Sequence, residues 1–327
     1  MANRKFGWHS GNMHANNGTF NGNMEVKGYA DFIGGTSANP KGTASKTYFV
    51  DEENGADTNN GLTPATAFAS ILTATALARD DYSDDAEYYI YIFPGSYDES
   101  EDLRLYGHGM HLIGLGHPGA DSGVNITDTN CTNSILLLAG ANCTIANIQF
   151  ITTSATNSTL GALYAIAADN TLITNCVFKN ASGTGTYAIL VDDMRKTTIS
   201  RCTFGDLGTT YTNQIYGESG ADKYMVNSRI EDNTMYSDNA AATGVYTHSQ
   251  MISTGLVIQR NFLNFAAATG ASIGIDINGS QTPIIADNYV AMASGDVPIE
   301  SAATVPGILG NHTVAGTTVV DPNTVAS

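Results

Sequence analysis

The chain has 327 residues, with 14 Lys and Arg against 31 Asp and Glu, for a net charge of −17. Charged residues make up only 14% of it, and threonine (38), glycine (34) and asparagine (29) carry the polarity instead. This balance excludes a nucleic-acid binder, which needs a basic face to neutralise phosphates, and a coiled coil, which needs Glu and Lys in quantity. The 42% of hydrophobic residues argues against disorder.

In chain order, residues 1–46 stand apart as an N-terminal segment and linker. Asn21-Gly22 is a hairpin-type signal between Thr19-Phe20 and Met24–Val26, and Gly34–Gly42 reads as a flexible linker. Trp8, the only tryptophan, is the natural anchor of an attachment segment. No apolar segment follows Arg4-Lys5, so no secretory signal is read. No apolar run reaches 18 residues, so no membrane insertion is expected. Thr47–Asp51 predicts a strand, Glu52–Thr63 an Asx-rich turn, and Pro64–Arg79 one short amphipathic helix. Asp51, Asp57 and Asn59 in that turn are oxygen ligands of the kind calcium takes, although such residues more often bond their own backbone. No cofactor is expected, with calcium at this turn as the alternative. Tyr88–Phe93, stopped by Pro94-Gly95, and His111–Gly116 predict two further strands.

From residue 145 a repeat dominates. Ile145-Ala-Asn-Ile-Gln-Phe150 returns as Ile173-Thr-Asn-Cys-Val-Phe178 and as Ile199-Ser-Arg-Cys-Thr-Phe204. Four further copies begin at Ile230, Ile258, Ile285 and Ile308, and successive isoleucines lie 28, 26, 31, 28, 27 and 23 residues apart. Short apolar segments separated by Gly, Asn, Ser and Thr clusters exclude a helical repeat. One coil of a parallel β-solenoid takes this length, and like residues then stack about 4.8 Å apart. The isoleucines become an internal column. Phe150, Phe178 and Phe204 become an aromatic stack, and Asn233, Asn261, Asn288 and Asn311 an amide ladder. Cys176 and Cys202 read as core thiols without a disulfide, and no Cys or His spacing suggests zinc.

A second column, Ile166, Ile189, Ile215, Val245, Ile275 and Ile299, predicts another strand in each coil. Three residues beyond its members stand Asp169, Asp192, Glu218, His248 and Asn278. Odd steps from an inward residue face outward, so this line would be exposed, with neighbouring carboxylates about 5 Å apart. Asp169, Asp192 and Glu218 are therefore the candidate catalytic acids of a glycoside hydrolase, whose two carboxylates bracket such spacings. A row of solvated polar residues at a strand end is the plainer reading. Tyr164, Tyr187, Tyr211, Tyr216, Tyr224, Tyr236 and Tyr246 are candidates to stack on sugar rings or to line a subunit contact.

Tyr48-Phe49-Val50-Asp51, Asn54–Gly61, Pro64…Ala67-Phe68…Ile71, Ile90–Glu99 and Leu112–Gly116 together resemble the opening of right-handed parallel β-helix proteins of the pectin-lyase-like superfamily. The resemblance implies a short helix capping the solenoid, and with the repeats it covers residues 47 to about 315. It says little of activity, because this fold carries lyases, hydrolases, adhesins and inert shafts alike. Lyase chemistry is disfavoured: Asp192-Asp193-Met194-Arg195, the only compact acid–base group, matches no lyase motif. Phe6–Asn12 and Thr19–Gly28 resemble the openings of tailed-phage structural proteins, where such a segment attaches a fibre to the virion. The expectation is an all-β chain with an attachment segment (1–46), a right-handed parallel β-helix (47–315) with a capping helix, and a C-terminal tail (316–327). The functional expectation is a phage virion fibre, spike or decoration, made in the host cytoplasm. It would be a homotrimer by the habit of that family, docked to other virion proteins and binding a cell-surface polysaccharide. The alternative is a polysaccharide-depolymerising spike, a hydrolase. A bacterial adhesin should carry the secretion signal that is not read here.

Overall fold

The structure is a computed structural model. It describes residues 45–320 apart from short segments at 81–85, 100, 120–121, 128, 130, 132, 154–160, 182–185, 206–210, 240, 267, 269–270, 279–281, 302–306 and 316–317. Trp8 and the rest of the attachment segment up to residue 44 lie outside the described residues.

The chain winds as a parallel β-helix with three long sheets. The first has ten strands, from Lys46–Val50 to Gly307–Leu309. The second begins at Gly95–Asp98 and also has ten, and the third runs from Leu103–Leu105 to Val297–Ser301 with eight. From Tyr88 onward each complete coil visits the three sheets in that order. A minor sheet of Ala168–Asp169, Asp193–Arg195 and Tyr224–Val226 lies between the third and the first. Among the described residues no helix is long and apolar enough to cross a membrane.

The predicted columns are in register. Ile145, Ile173, Ile199, Ile230, Ile258, Ile285 and Ile308 pair rung to rung in the first sheet. The column continues upstream through Leu112, Ile90 and Tyr48. Ile145 to Ile285 are fully buried, whereas Ile308 on the last rung is only half-buried. Phe150, Phe178 and Phe204 stack with ring centroids 5.3 and 4.9 Å apart.

The amide ladder closes as the spacing implies. Asn233 Nδ2 donates to Asn261 Oδ1 at 3.0 Å, Asn261 to Asn288 at 3.0 Å, and Asn288 to Asn311 at 2.9 Å. Each Nδ2 also donates to the carbonyl of the isoleucine one coil back, as Asn233 does to Ile199 at 3.0 Å. Cys202 and Cys176 occupy the same rung position and aim a weaker S–H donor at the equivalent carbonyls of Ile173 and Ile145. All four cysteines are buried free thiols. Burial pushes the Cys202 thiol up, away from reactivity.

Between first and second sheets the chain turns on one left-handed residue per coil. Asn147, Asn175, Arg201, Asp232, Arg260 and Asp287 have φ between 50° and 61°, and Gly310 closes the series at 64°. Asn and Asp tolerate this region; arginine does so at a cost. Arg260 is held there by Asp232, at 2.8 and 2.9 Å.

Four expectations need correction. Pro64–Arg79 is not one helix: a 3-10 turn spans Pro64–Thr66 and the α-helix spans Ile71–Asp80. Phe68 interrupts them by forming a bridge to Val50. Asp57 takes the N–H groups of Ala69 and Ser70. Glu99 takes those of Ile71 and Leu72 at the helix start, where unsatisfied donors and the helix dipole favour an anion. The helix buries Ile71, Ala74 and Ala78 in the core cluster, with Tyr48 and Val50 of the first rung.

The second correction is at Ile166. Leu163, not Ile166, is the rung partner of Ile189 and of Leu136. Both are apolar and three residues apart, so spacing alone favoured the wrong one. The column otherwise runs as predicted through Ile189, Ile215, Val245, Ile275 and Ile299. Third, Tyr211 is a core residue, fully buried, with its hydroxyl donating to Lys179 O at 2.9 Å. Fourth, Thr318–Val320, in the expected tail, folds back antiparallel onto His312–Ala315 and ends the second sheet.

Candidate functional site

Because Leu163 is the anchor, the outward line three residues past the second column is Ile166, Asp192, Glu218, His248 and Asn278. Its continuity is visible in the backbone: Asp192 N donates to Ala165 O, Glu218 N to Val191 O and Asn278 N to Thr247 O. Asp169 leaves the candidate line. It lies in the minor sheet as the rung partner of Arg195. There it lines an open groove of about 540 Å³ with His108, Asn142, Asn170 and Lys196.

Asp192 and Glu218 do come together, around a cation the spacing argument did not single out. Lys223 Nζ lies 2.6 Å from Asp192 Oδ2 and 3.3 Å from Glu218 Oε2. Lys223 sits between the third-sheet strand Asn213–Gly217 and the minor-sheet strand Tyr224–Val226. The backbone N–H of Tyr224 bonds to Asp192 O, which holds the neighbouring lysine over the coil below. Tyr164 completes the group, its hydroxyl donating to Asp192 Oδ2 at 3.2 Å and to Glu218 Oε2 at 3.4 Å. Partial desolvation disfavours the Lys223 charge, but the hydrogen bonds to the two acids outweigh it and hold the ammonium above its ordinary range. Burial, and then the two acids, push the Tyr164 hydroxyl up, so it stays a neutral donor.

A second row on the same face lies one residue past the column: Tyr164, Leu190, Tyr216, Tyr246, Asp276 and Glu300. Tyr216 and Tyr246 stack with centroids 4.5 Å apart at 10°, and Tyr187 tilts against Tyr216 at 4.7 Å. Stacked faces are spent on each other, so this ladder offers ring edges and hydroxyls to solvent. Past Tyr246 stand Asp276 and Glu300 on adjacent rungs. Burial first, then the neighbouring Glu300, push the Asp276 carboxyl up to about 6 against a pull from Asn278, whose Nδ2 donates to Asp276 Oδ1 at 2.7 Å. This pair was missed from the sequence. Its signal was available: Tyr216, Tyr246, Asp276 and Glu300 each follow a column member directly.

The remaining tyrosines are elsewhere engaged. Tyr224 lies under the Arg195 guanidinium, 4.2 Å from its ring centroid. Tyr236 is on the second sheet, edge-on to Phe262 at 6.3 Å.

In the Asx-rich turn, the three side chains named as oxygen ligands all bond protein groups. Asp51 Oδ1 accepts the N–H groups of Glu53 and Asn54. Asp57 spends both oxygens on Ala69 and Ser70, and Asn59 Nδ2 donates to Ala67 O. Asp51 holds the turn's own backbone, whereas Asp57 and Asn59 hold the segment that follows it, and among the described residues no three His, Cys, Asp or Glu converge as a metal set.

No family model matches the chain, and no curated protein matches it. Solved structures similar to it include pectate lyase Pel9A, at 12% identity over 85% of this chain and 78% of that one, with a TM-score of 0.43. A rhamnogalacturonan lyase is similar at 14% identity over 83% and 62%, with a TM-score of 0.34. GH136 lacto-N-biosidase from Eubacterium ramulus is similar at 10% identity over 83% and 67%, with a TM-score of 0.24.

Proposed function

We propose that the chain is a saccharide-binding solenoid that receives an extended glycan along the outer face of its third sheet. The observation that carries this reading is the run of hydroxyl, carboxylate and ammonium groups over adjacent rungs: Tyr164, Asp192, Glu218 and Lys223, then Tyr216, Tyr246, Asp276 and Glu300. Groups that recur about every 4.8 Å along an axis suit a ligand that is itself a repeating polymer. Carboxylates and tyrosine hydroxyls are the hydrogen-bonding partners that sugar hydroxyls need. Binding is favoured over hydrolysis at Asp192 and Glu218, because one ammonium ties both acids together. A glycosidase needs one of its pair free as a proton donor. Affinity electrophoresis through gels containing different polysaccharides tests the reading. Retardation by at least one, relieved by Lys223→Ala with Tyr164→Phe, supports it, and unretarded migration through all of them refutes it.

The virion role is the second reading. A regular, unbroken register over ten rungs favours it, because such a stack makes a stiff shaft of about 45 Å. Attachment through residues 1–46, and a homotrimer, belong to this proposal. Sedimentation of the full chain beside a 47–327 truncation tests it. A trimer that needs residues 1–46 supports the proposal, and a monomer in both forms removes it.

A further inference from the structure

The turns that lead into the first sheet place one left-handed residue on each coil. Gly109, Asn142, Asn170 and Lys196 hold four successive places, with φ between 50° and 67°. Each of the first three donates its N–H to the carbonyl of the residue before the next: Gly109 to Ala141, Asn142 to Asp169 and Asn170 to Arg195. His108, Ala141, Asp169 and Arg195 therefore occupy one place on successive coils. Alanine is the smallest of them, and the open groove of about 540 Å³ takes the space its side chain leaves. His108 and Asp169 wall that groove from two coils apart, about 10 Å. Asn142, Asn170 and Lys196 line its side.

The turn does not explain Lys196. Lysine enters the left-handed region only at a cost, whereas the coils before it use glycine and asparagine there. The arginines in left-handed turns at the next corner have partners, Arg260 in Asp232 at 2.8 Å and Arg201 in Thr174 at 3.3 Å. Among the described residues the Lys196 ammonium has no ion pair and no hydrogen bond, and neither has the Asp169 carboxylate. Arg195, the rung partner of Asp169, is engaged by Asp193 at 2.9 Å and by the Tyr224 ring. Asn170 Nδ2 donates to Asn142 Oδ1 at 2.6 Å, which leaves Asn142 Nδ2 and Asn170 Oδ1 unused. The groove thus offers an ammonium, a carboxylate, an amide donor and an amide acceptor together. An inorganic anion would meet Asp169 there, and a metal cation would meet Lys196. A sugar hydroxyl both donates and accepts, so a neutral ring carrying several of them can use the whole set. The volume is that of a small-molecule site.

We propose that this groove is a subsite for one neutral hexose, the branch residue of a glycan whose main chain runs over the third sheet. Asp169 follows Tyr164 by five residues on the same coil, so the groove opens beside that face. The course of the main chain rests on the glycan-binding reading of the third sheet, whereas a hexose in the groove does not.

The test is saturation-transfer NMR of the full chain with the methyl glycosides of glucose, galactose, mannose and N-acetylglucosamine, each at millimolar concentration. At least one should receive saturation, and Lys196→Gly and Ala141→Leu should each abolish its signal. Glycine suits the left-handed backbone at position 196. Leucine at 141 fills the groove while every polar group stays, and circular dichroism checks that each variant folds. Silence from all four glycosides overturns the subsite, and so does a signal that survives either variant. If polysaccharide gels still retard the chain in those cases, the third-sheet reading stands without the groove. A groove-dependent signal with unretarded migration through every gel supports the hexose subsite and removes the main chain from the third sheet.

Discussion

Replacing Asn261 by alanine probes the amide ladder, the feature that most directly links sequence repeat to stability. Asn261 is 2% exposed. Its Oδ1 accepts from the Asn233 backbone N–H and from Asn233 Nδ2, both at 3.0 Å. Its Nδ2 donates to Ile230 O at 2.9 Å and to Asn288 Oδ1 at 3.0 Å. Two of these partners keep a second bond: Asn233 Nδ2 to Ile199 O, and Asn288 Oδ1 from the Asn261 N–H. The Asn233 N–H loses its acceptor and the Ile230 carbonyl a donor, in an interior without water. At about 1–3 kcal/mol for each group left unsatisfied, the cost is about 3 kcal/mol. Asn261→Cys should cost less, about 2 kcal/mol, because a thiol can repeat the weak S–H contact that Cys202 makes to Ile173 O. Urea unfolding, followed by circular dichroism and by tyrosine fluorescence so that coincidence of the two curves checks cooperativity, should show a midpoint lowered by on the order of 1 M for alanine. Asn264→Ala on the same coil, at a half-buried outward position, serves as the control and should cost under about 1 kcal/mol. An alanine cost below about 1 kcal/mol at position 261 would refute the ladder as a stabilising element.

Three further outcomes are expected. Asp276 has a folded pKa raised from 3.8 to about 6, so its contribution is most favourable below pH 4 and is lost as pH rises through 6. After discounting for partial hydration, Asp276→Asn should stabilise by about 1–2 kcal/mol at pH 7.5 and by nothing at pH 4, read from thermal melts; an equal effect at both pH values would contradict the assignment. Glu99→Ala should destabilise by about 2–3 kcal/mol, because Glu99 Oε1 and Oε2 hold the N–H groups of Ile71 and Leu72 at 2.7 and 3.2 Å from a buried position. Arg260→Ala should leave the urea midpoint close to that of the parent chain despite its close ion-pair contacts, because the guanidinium is exposed and its pair with Asp232 is screened; a clear drop in the midpoint would show that the ladder at this corner is cooperative.

Much of the fold was legible because a solenoid repeats its core. A residue facing inward must match the shape and polarity of the one about 4.8 Å above it, so Ile145 to Ile308, Phe150 to Phe204 and Asn233 to Asn311 carry their register in their identities. The N-terminal helix was legible in kind but not in extent. Its start depends on Phe68 crossing to Val50 and on Glu99 arriving from 28 residues downstream, and neither contact leaves a local periodicity.

The outer face was less legible because outward residues are free to differ from coil to coil. Leu163 and Ile166 satisfy the same apolar requirement, and which one enters the core decides whether Asp169 or Ile166 joins Asp192. Lys223 lies five residues past Glu218 on the same coil, but it reaches Asp192 only because that coil stacks on the one carrying Asp192. The sequence alone therefore determined the coil, its inward columns and the absence of any lysine or arginine after Arg260, all consequences of chemistry that must repeat or of composition. Only the tertiary structure decided which carboxylates are paired and which are left uncompensated, because charge pairing depends on the register of loops whose lengths vary and whose residues do not repeat.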